Sequence, residues 1–314
     1  MVFFIGAIAK NISEKFLAFQ LYVGSLYFEF PDMQIYIYEN NSTDNTKADL
    51  ERWAALNSRI HYKCENISEE EFLKSSCPRT MDNKACRMVK IAYARNKLME
   101  MLEETDIGSR DEDRIIMIDP DLPVMFDSDS LLSILKSGRN DYDALFANGK
   151  SQRGKYYDAS AYFDRQFPFG MELIPERKIF DEKYKSVIQP IPTNAPWIPV
   201  ISAFGGIGVY RASAIRGLRY SGVVTEDVHK VYSNFCKQYP SHPWVQLVKQ
   251  KPETHIEGAL MGIYLFDTSL FYRNNSGYNY PVICEHVPFH CAMINRGASR
   301  LFVDPSLVYV SDHW

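Results

Sequence analysis

Alternating strand and helix patterns in the first half of the chain limit the fold more than any other feature. Apolar segments predict four strands, at Val2–Ala9, Gln34–Tyr38, Ile60–Tyr62 and Arg114–Ile118. Helical patterns between them predict helices at about Glu14–Tyr27, Asp44–Leu56 and Val89–Glu103. This order indicates βαβ units and a mainly parallel sheet, whose ligands gather at the carboxyl ends of the strands.

The second half of the chain is loop-rich and mixed in pattern. It predicts short strands near Ala144–Ala147, Pro199–Ser202, Ile207–Arg211, Leu301 and Leu307, and a helix at about His286–Arg296. The change in character predicts a nucleotide-binding half at residues 1–150 and an acceptor-binding half at 151–314. We expect the two halves to be fused into one α/β domain, with an insertion near 220–282.

Composition excludes several other classes. The chain has 314 residues, 46% of them hydrophobic, which is ample for a core, and its net charge of -4 argues against a nucleic-acid partner. No apolar stretch reaches the roughly 18–20 residues that a transmembrane helix needs. The six cysteines include no CxxC pair, which favours free thiols and a cytoplasmic location.

The most informative residues are Asp119 and Asp121, which follow the fourth predicted strand. Two carboxylates at this spacing place oxygen ligands at the ligand-binding edge of the sheet, where Mn²⁺ or Mg²⁺ could bridge to a diphosphate. The alternative is an ordinary Asp-Pro turn that ends the strand.

Four further residues are candidates for donor binding. Glu39 follows the second strand, where an acidic side chain can accept hydrogen bonds from a ribose, and Asp44 can contribute there or cap the next helix. Arg87 and Arg95 lie on or beside the helix before the fourth strand, where a guanidinium could neutralise a diphosphate or simply face solvent. No Gly-rich phosphate-binding loop is present in the sequence.

Two clusters in the second half complete the candidate site. Gly205 and Gly206 adjoin a predicted strand and suit close backbone approach to a sugar, although a tight bend is the alternative. Glu285 and His286 precede the last helix, and His313 lies next to the final residue, so these side chains could supply acid–base groups or a metal ligand.

Together these pieces resemble a nucleotide-sugar glycosyltransferase of the GT-A fold. The resemblance is to fungal capsule-associated α-mannosyltransferases and, more distantly, to the yeast mannan-polymerase subunits. The ordered segments that carry it are Glu39…Ser42-x-Asp44-x-Thr46, Ile91–Asn96, Ile118–Asp121, Asp143–Gly149 with Tyr157-Asp158, Phe204–Gly206, Glu285-His286 and Asp312-His313.

The resemblance implies roles for individual residues. It implies that Asp119, Asp121 and His313 hold the cation, and that Glu285 acts on the acceptor side, with His286 standing where many relatives have Asp. Further carboxylate candidates for catalysis are Asp158 and Glu257. It also implies a donor site that includes Ala9, Glu39, Asp44, Arg87, Arg95, Asp119, Gly205 and Gly206. The fungal relatives usually carry an amino-terminal membrane anchor that this sequence lacks, which predicts a cytoplasmic protein or an excised catalytic domain.

The expected activity is metal-dependent transfer of a sugar, such as mannose from GDP-mannose, from a GDP- or UDP-sugar to a glycan or another hydroxyl acceptor. A sugar nucleotidyltransferase is a second candidate, but the segment after the first strand lacks the Gly-rich loop of that class. A carbohydrate-binding subunit without turnover is the third, and the presence of Asp119, Asp121 and His313 argues against it.

Overall fold

An eight-stranded sheet organises the protein. The computed structural model describes residues 1–73, 85–105, 110–121, 128–170, 177–250, 262–266, 269–273 and 282–311. The strands of this sheet are β1 Phe3–Ala9, β2 Gln34–Asn40, β3 Ile60–Glu65, β4 Arg114–Ile118, β5 Ala144–Ser151, β6 Ile198–Pro199, β7 Ile207–Arg211 and β10 Leu301–Ser311. They are hydrogen-bonded in the order β3-β2-β1-β4-β7-β5-β10-β6. A separate antiparallel pair is formed by β8 Gly262–Phe266 and β9 Ser269–Arg273.

The sheet is mainly parallel, as predicted. The pairs β1–β2, β2–β3, β1–β4 and β5–β10 are parallel, whereas β7 runs antiparallel to both β4 and β5, and β6 runs antiparallel to β10. The carboxyl ends of β1, β2 and β4 therefore lie at one edge, and the loop before β7 returns to the same edge.

Helices cover both faces of the sheet. The described helices are α1 Phe16–Glu29, α2 Thr46–Leu56, α3 Glu69–Leu73, α4 Arg87–Glu103, α5 Asp129–Lys136, α6 Arg177–Val187, α7 Ala212–Ile215, α8 Glu226–Gln238, α9 Pro243–Gln250 and α10 His286–Asn295. One apolar cluster joins the sheet to α1, α2 and α5, and another joins the opposite face to α4 and α10. Alternate residues of β2 serve the two clusters, Ile35 and Ile37 facing one and Tyr36 and Tyr38 the other.

The boundaries differ from the sequence-based expectations in the second half. The strands expected near Leu301 and Leu307 are one strand, β10, interrupted by a register shift between Asp304 and Val308. The strand expected at Pro199–Ser202 is only the pair Ile198–Pro199, because Ile201 and Ser202 bond instead to the backbone of Phe163. The proposed division at residue 150 falls within β5, so both halves contribute to one sheet.

The region near 220–282 contributes helix α8, which the sequence analysis did not assign. Its buried face includes Val228, Tyr232 and Phe235, and these side chains form a third apolar cluster with residues of α10. Across the described part of the chain, no helix has both the length and the apolar character required to cross a membrane.

Candidate functional site

The ends of β1 and β2 bring two predicted donor-site residues side by side. Ala9 pairs with Glu39 in the parallel register, and the Glu39 side chain is fully buried. Its Oε1 atom accepts a hydrogen bond of 2.6 Å from the Ser42 backbone N–H. Its Oε2 atom is buried and lies 3.8 Å from Lys47 Nζ, and the carboxylate also interacts with the Cys64 thiol. A buried carboxylate oxygen of this kind is a ready acceptor for a ligand hydroxyl.

Asp44 fixes the turn that follows Glu39. Its Oδ1 atom accepts from the Thr46 backbone N–H and its Oδ2 atom from the Ser13 backbone N–H, both at 3.0 Å. Slight burial acts to raise the pKa of Asp44, but these hydrogen bonds outweigh it and lower the pKa. The carboxylate therefore ties the first residue of α2 to the segment after β1, whereas the N-cap position of α2 is Asn45, whose side chain makes no capping hydrogen bond.

Asp119 and Asp121 follow β4 and are held by the neighbouring strands. The Asp119 backbone N–H donates to the Gly206 carbonyl at 2.9 Å. The Tyr309 hydroxyl lies 3.2 Å from Asp121 Oδ1 and 3.3 Å from the Asp119 carbonyl oxygen, and Lys15 Nζ donates to the Asp121 carbonyl at 3.3 Å. These contacts make the Asp-Pro-Asp turn a fixed part of the sheet edge.

The glycines before β7 allow two backbone segments to approach closely. Gly205 has φ of +64°, and a Cβ atom there would lie 2.2 Å from the Ala147 carbonyl oxygen. Gly206 has φ of +91°, and a Cβ atom there would lie 2.3 Å from the Tyr309 ring. The Gly205 N–H donates to Asp158 Oδ2 at 3.1 Å. Gly205 and Gly206 therefore form a tight bend, and this bend also positions Asp158, a predicted catalytic carboxylate.

Arg95 connects Asp119, which follows β4, to Glu285, which precedes α10. Its Nη2 atom is 3.2 Å from Asp119 Oδ1, and its Nε atom is 3.1 Å from Glu285 Oε1. The guanidinium also lies over the Phe204 ring at 4.8 Å and the Tyr220 ring at 5.6 Å. Burial acts to lower the pKa of Arg95, but the two carboxylates outweigh it and raise the pKa, so the side chain is always charged.

Glu285 stands at the start of α10, where a carboxylate interacts favourably with the helix dipole. His286 Nε2 lies 3.4 Å from Glu285 Oε1, and the His286 ring stacks on Phe204 with centroids 4.0 Å apart. Burial, and then the positive charge of Arg95, lower the pKa of His286 well below its usual range. This histidine is therefore neutral at physiological pH and does not replace the negative charge of an aspartate.

A second buried histidine lies one helical turn further along α10. His290 Nδ1 is 2.9 Å from Ser202 Oγ, and Nε2 is 3.0 Å from the Tyr210 hydroxyl. Burial, and then the charge of Arg95, lower its pKa to about 3. His290 thus connects α10 to the sheet as a neutral hydrogen-bonding residue.

The carboxylates at this edge are crowded, which bears on whether a cation fits. Desolvation, together with the charges of Asp121 and Asp158, raises the pKa of Asp119 to about 7 despite Arg95. Desolvation, with Glu285 adding to it, raises the pKa of Asp158 to about 6. A divalent cation would relieve the repulsion between these carboxylate oxygens, so the side chains are chemically suited to hold the expected Mn²⁺ or Mg²⁺. The described residues contain no cluster of three or more His, Cys, Asp or Glu arranged as a complete metal site.

The structure thus brings together most of the predicted residues. Around the edge lie Ala9, Glu39, Asp44, Arg95, Asp119, Asp121, Asp158, Gly205, Gly206 and Glu285. Arg87 is exposed at the start of α4, two helical turns (roughly 12 Å) before Arg95. Glu257 and His313 fall outside the described residues.

Sequence reasoning missed Tyr309 and Lys15, which hold the Asp119–Asp121 turn. A signal for Tyr309 was available, because alternation along Leu307–Val310 places its side chain on the same face as Leu307. A tyrosine buried in this way normally needs a hydrogen-bond partner for its hydroxyl. Lys15 carried no such signal, since its position next to the first helix is ordinary for a lysine.

Comparison with known protein families identifies a family to which this chain is similar. The model of the family described as Cryptococcal mannosyltransferase 1 matches residues 26–238, about two thirds of the chain. The match includes Glu39, Arg95, Asp119, Asp158 and Gly205. A search of curated protein sequences finds no match.

Three solved structures show distant similarity. A mannosyltransferase from Pyrobaculum calidifontis in complex with GDP-Man and Mn²⁺ is 12% identical over 75% of this chain and 52% of its own, with a TM-score of 0.38. TarS 1-349 from S. aureus in complex with UDP-GlcNAc is 13% identical over 99% of this chain and 58% of its own, with a TM-score of 0.43. Glucosyl-3-phosphoglycerate synthase from Mycobacterium tuberculosis, in complex with Mn²⁺, UDP and phosphoglyceric acid, is 11% identical over 90% of this chain and 88% of its own, with a TM-score of 0.37. The chain spans just over half of the first two, and these similarities are too low to transfer a substrate or a residue role.

Proposed function

The chain belongs to the Cryptococcal mannosyltransferase 1 family, and we propose that it is a metal-dependent glycosyltransferase with GDP-mannose as its donor. The acceptor in this proposal is a hydroxyl group of a glycan. The observation that carries it is the meeting of Asp119 and Glu285 at the buried Arg95, with Asp158 bonded to the Gly205 backbone, at the carboxyl ends of the strands. A donor half at residues 1–150 and an acceptor half at 151–314 are parts of the same proposal.

The nucleoside is assigned to the ends of β1 and β2. Glu39, buried beside the Ala9 backbone, would accept a hydrogen bond from a ribose hydroxyl. Asp44 holds the loop in place through its two backbone hydrogen bonds. Gly205 and Gly206 let the turn pack closely against β5 and Tyr309, and the backbone of this turn is assigned to the sugar. The family resemblance implies that Arg95 contacts the diphosphate, and Arg87 is a further candidate for donor binding.

The cation site is assigned to Asp119 and Asp121, with His313 as a third ligand. When bound, the divalent cation would neutralise charge on the diphosphate that leaves with the nucleoside. The mixed oxygen and nitrogen ligands of this set favour Mn²⁺ over Mg²⁺. Within the chain, Tyr309 and Lys15 keep the Asp119–Asp121 turn in position for that purpose.

The acceptor side is assigned to Glu285. In the transfer, a hydroxyl oxygen of the acceptor forms a bond to the anomeric carbon of the sugar, and the bond from that carbon to the diphosphate breaks. The nucleoside diphosphate leaves, and the hydroxyl proton passes to a carboxylate. We assign that carboxylate as Glu285, with Asp158, whose pKa is raised to about 6, and Glu257 as further candidates.

A thermal-shift panel of GDP, GDP-mannose and several UDP-sugars, each with and without Mn²⁺, tests the donor assignment. A ligand at a hundred times its Kd stabilises the folded protein by about 2.7 kcal/mol, which is a shift of roughly 5 °C in Tm for a chain of this length. We expect that shift with GDP-mannose and Mn²⁺ together, and a smaller one with Asp121→Asn. Equal shifts with all nucleotides, independent of Mn²⁺, would refute the proposal.

A further inference from the structure

Arg95 is the most constrained charged side chain in the site. It lies on α4 and is only 4% exposed, so its guanidinium must find its hydrogen-bond acceptors inside the protein. Two of these acceptors are the carboxylates of Asp119, at 3.2 Å, and Glu285, at 3.1 Å. The first belongs to the proposed donor side and the second to the proposed acceptor side.

The planar fork of arginine is what makes this double contact possible. Nε and Nη2 donate in fixed directions, whereas a lysine ammonium at the same place would be a single point charge on a flexible stem. The Phe204 ring at 4.8 Å supports one side of the guanidinium. The distance between the two carboxylates is thus set by the geometry of one side chain.

The contacts also distinguish the two oxygens of Glu285. Oε1 accepts a hydrogen bond from Arg95 Nε at 3.1 Å and lies 3.4 Å from His286 Nε2. Oε2 has only the Cys284 thiol, a weak donor at 3.7 Å, as its contact among the described residues. Oε2 is therefore the oxygen that remains available to a ligand.

We propose that Arg95 is a positioning residue that fixes Glu285 against the donor-side Asp119 and turns Glu285 Oε2 toward the acceptor hydroxyl. This inference rests on the proposed glycosyltransferase function and gives Arg95 a role other than the predicted contact with the diphosphate. The two roles have different consequences. A positioning role acts on kcat through Glu285, while a diphosphate contact acts mainly on the affinity for the nucleotide.

The test is a double-mutant cycle between Arg95→Lys and Glu285→Gln, with kcat and the Kd for GDP in Mn²⁺ measured for each protein. Misplacement of a catalytic group by about 1 Å can cost roughly 10²-fold, so we expect Arg95→Lys alone to lower kcat by roughly 10- to 100-fold. Its Kd for GDP should stay within about threefold of wild type by the same reasoning. In the Glu285→Gln background, Arg95→Lys should cause almost no further loss of kcat.

Two additional variants keep the result interpretable. Phe204→Leu leaves Arg95 in the chain but removes the ring that supports it, so its loss of kcat should also vanish in the Glu285→Gln background. Arg114→Met is the matched control, because Arg114 is a buried arginine, 1% exposed, that bonds to backbone carbonyls of Asp111 and Asp113 away from the site. That control should lower stability and leave kcat unchanged.

The possible outcomes separate the inference from the function on which it rests. Multiplicative losses in the double variant, or a rise of tenfold or more in the Kd for GDP with Arg95→Lys alone, would overturn the positioning role. A wild-type protein that turns over no nucleotide sugar would overturn the glycosyltransferase proposal and the inference with it.

Discussion

Gly205→Ala is the substitution that most directly probes how the site is built. Gly205 combines a left-handed backbone, with φ of +64°, and a contact that leaves no room for a side chain. Its missing Cβ would lie 2.2 Å from the Ala147 carbonyl oxygen on β5, which is backbone and cannot rotate away. Gly154 is a matched control, because its φ is +72° and nothing lies within 4 Å of the position of its Cβ.

The two glycines separate the cost of the backbone conformation from the cost of the close contact. A left-handed conformation costs an alanine about 1–2 kcal/mol, and this is all that Gly154→Ala should lose. Overpacking adds about 1–3 kcal/mol, so Gly205→Ala should lower the free energy of unfolding by about 2–5 kcal/mol in total. The backbone would also have to shift, and the hydrogen bond from Gly205 N–H to Asp158 would weaken.

Urea denaturation of the wild type and both variants measures these free energies. We expect Gly205→Ala to be the less stable variant by about 1–3 kcal/mol, which is the overpacking cost alone. We also expect it to lose donor turnover, while Gly154→Ala retains it. Equal stability of the two variants would refute the close packing of the Phe204–Gly206 turn against β5.

Three other substitutions test separate parts of the account. Asp121→Ala should lower Mn²⁺-supported kcat by roughly 10²-fold or more and leave the circular dichroism spectrum unchanged; near-native kcat would refute the metal assignment. Glu285→Gln should lower kcat by roughly 10²–10⁴-fold with little change in donor Kd, whereas a raised Kd at unchanged kcat would place Glu285 in the donor site. His290 is neutral in the folded protein down to a pKa of about 3, while the unfolded chain takes up its proton near the ordinary value of about 6.5. The contribution of His290 to the free energy of unfolding should therefore be full above the unfolded-state pKa and should be lost as the pH falls toward the folded-state pKa. Between the two pKa values, His290→Gln should reduce the slope of the free energy of unfolding against pH by about 1.4 kcal/mol per pH unit. An unchanged slope would contradict the burial of a neutral imidazole.

Much of the sheet was predictable because its strands are buried on both faces. Phe3–Ala9 and Ile115–Ile118 are continuous apolar runs, and such runs between helical patterns have few other interpretations. The same logic located Asp119 and Asp121, since polar residues directly after a buried parallel strand must lie at its carboxyl end. The second half was harder: β7 was predicted with its observed bounds, Ile207–Arg211, but not its reversed direction, and the two residues of β6 are too few to carry a clear pattern.

The contacts within the site could not be read from the sequence. Arg95 and Glu285 are 190 positions apart, and only the folded sheet shows that one guanidinium joins Glu285 to Asp119. His290 gave no indication that Ser202 and Tyr210 would be its partners, because those pairings depend on how α10 packs on the sheet. Long-range pairings of this kind are a property of the tertiary structure and leave no local pattern.

The most direct test of the central claim is transfer itself. The purified chain would be incubated with GDP-mannose, Mn²⁺ and a mannose-containing oligosaccharide, and both GDP release and the mass of the oligosaccharide would be followed. The account predicts acceptor-dependent GDP release, an equal amount of oligosaccharide heavier by one hexose, and loss of both in Asp121→Ala. An oligosaccharide of unchanged mass, with GDP-mannose intact and Asp121→Ala indistinguishable from wild type, would contradict it.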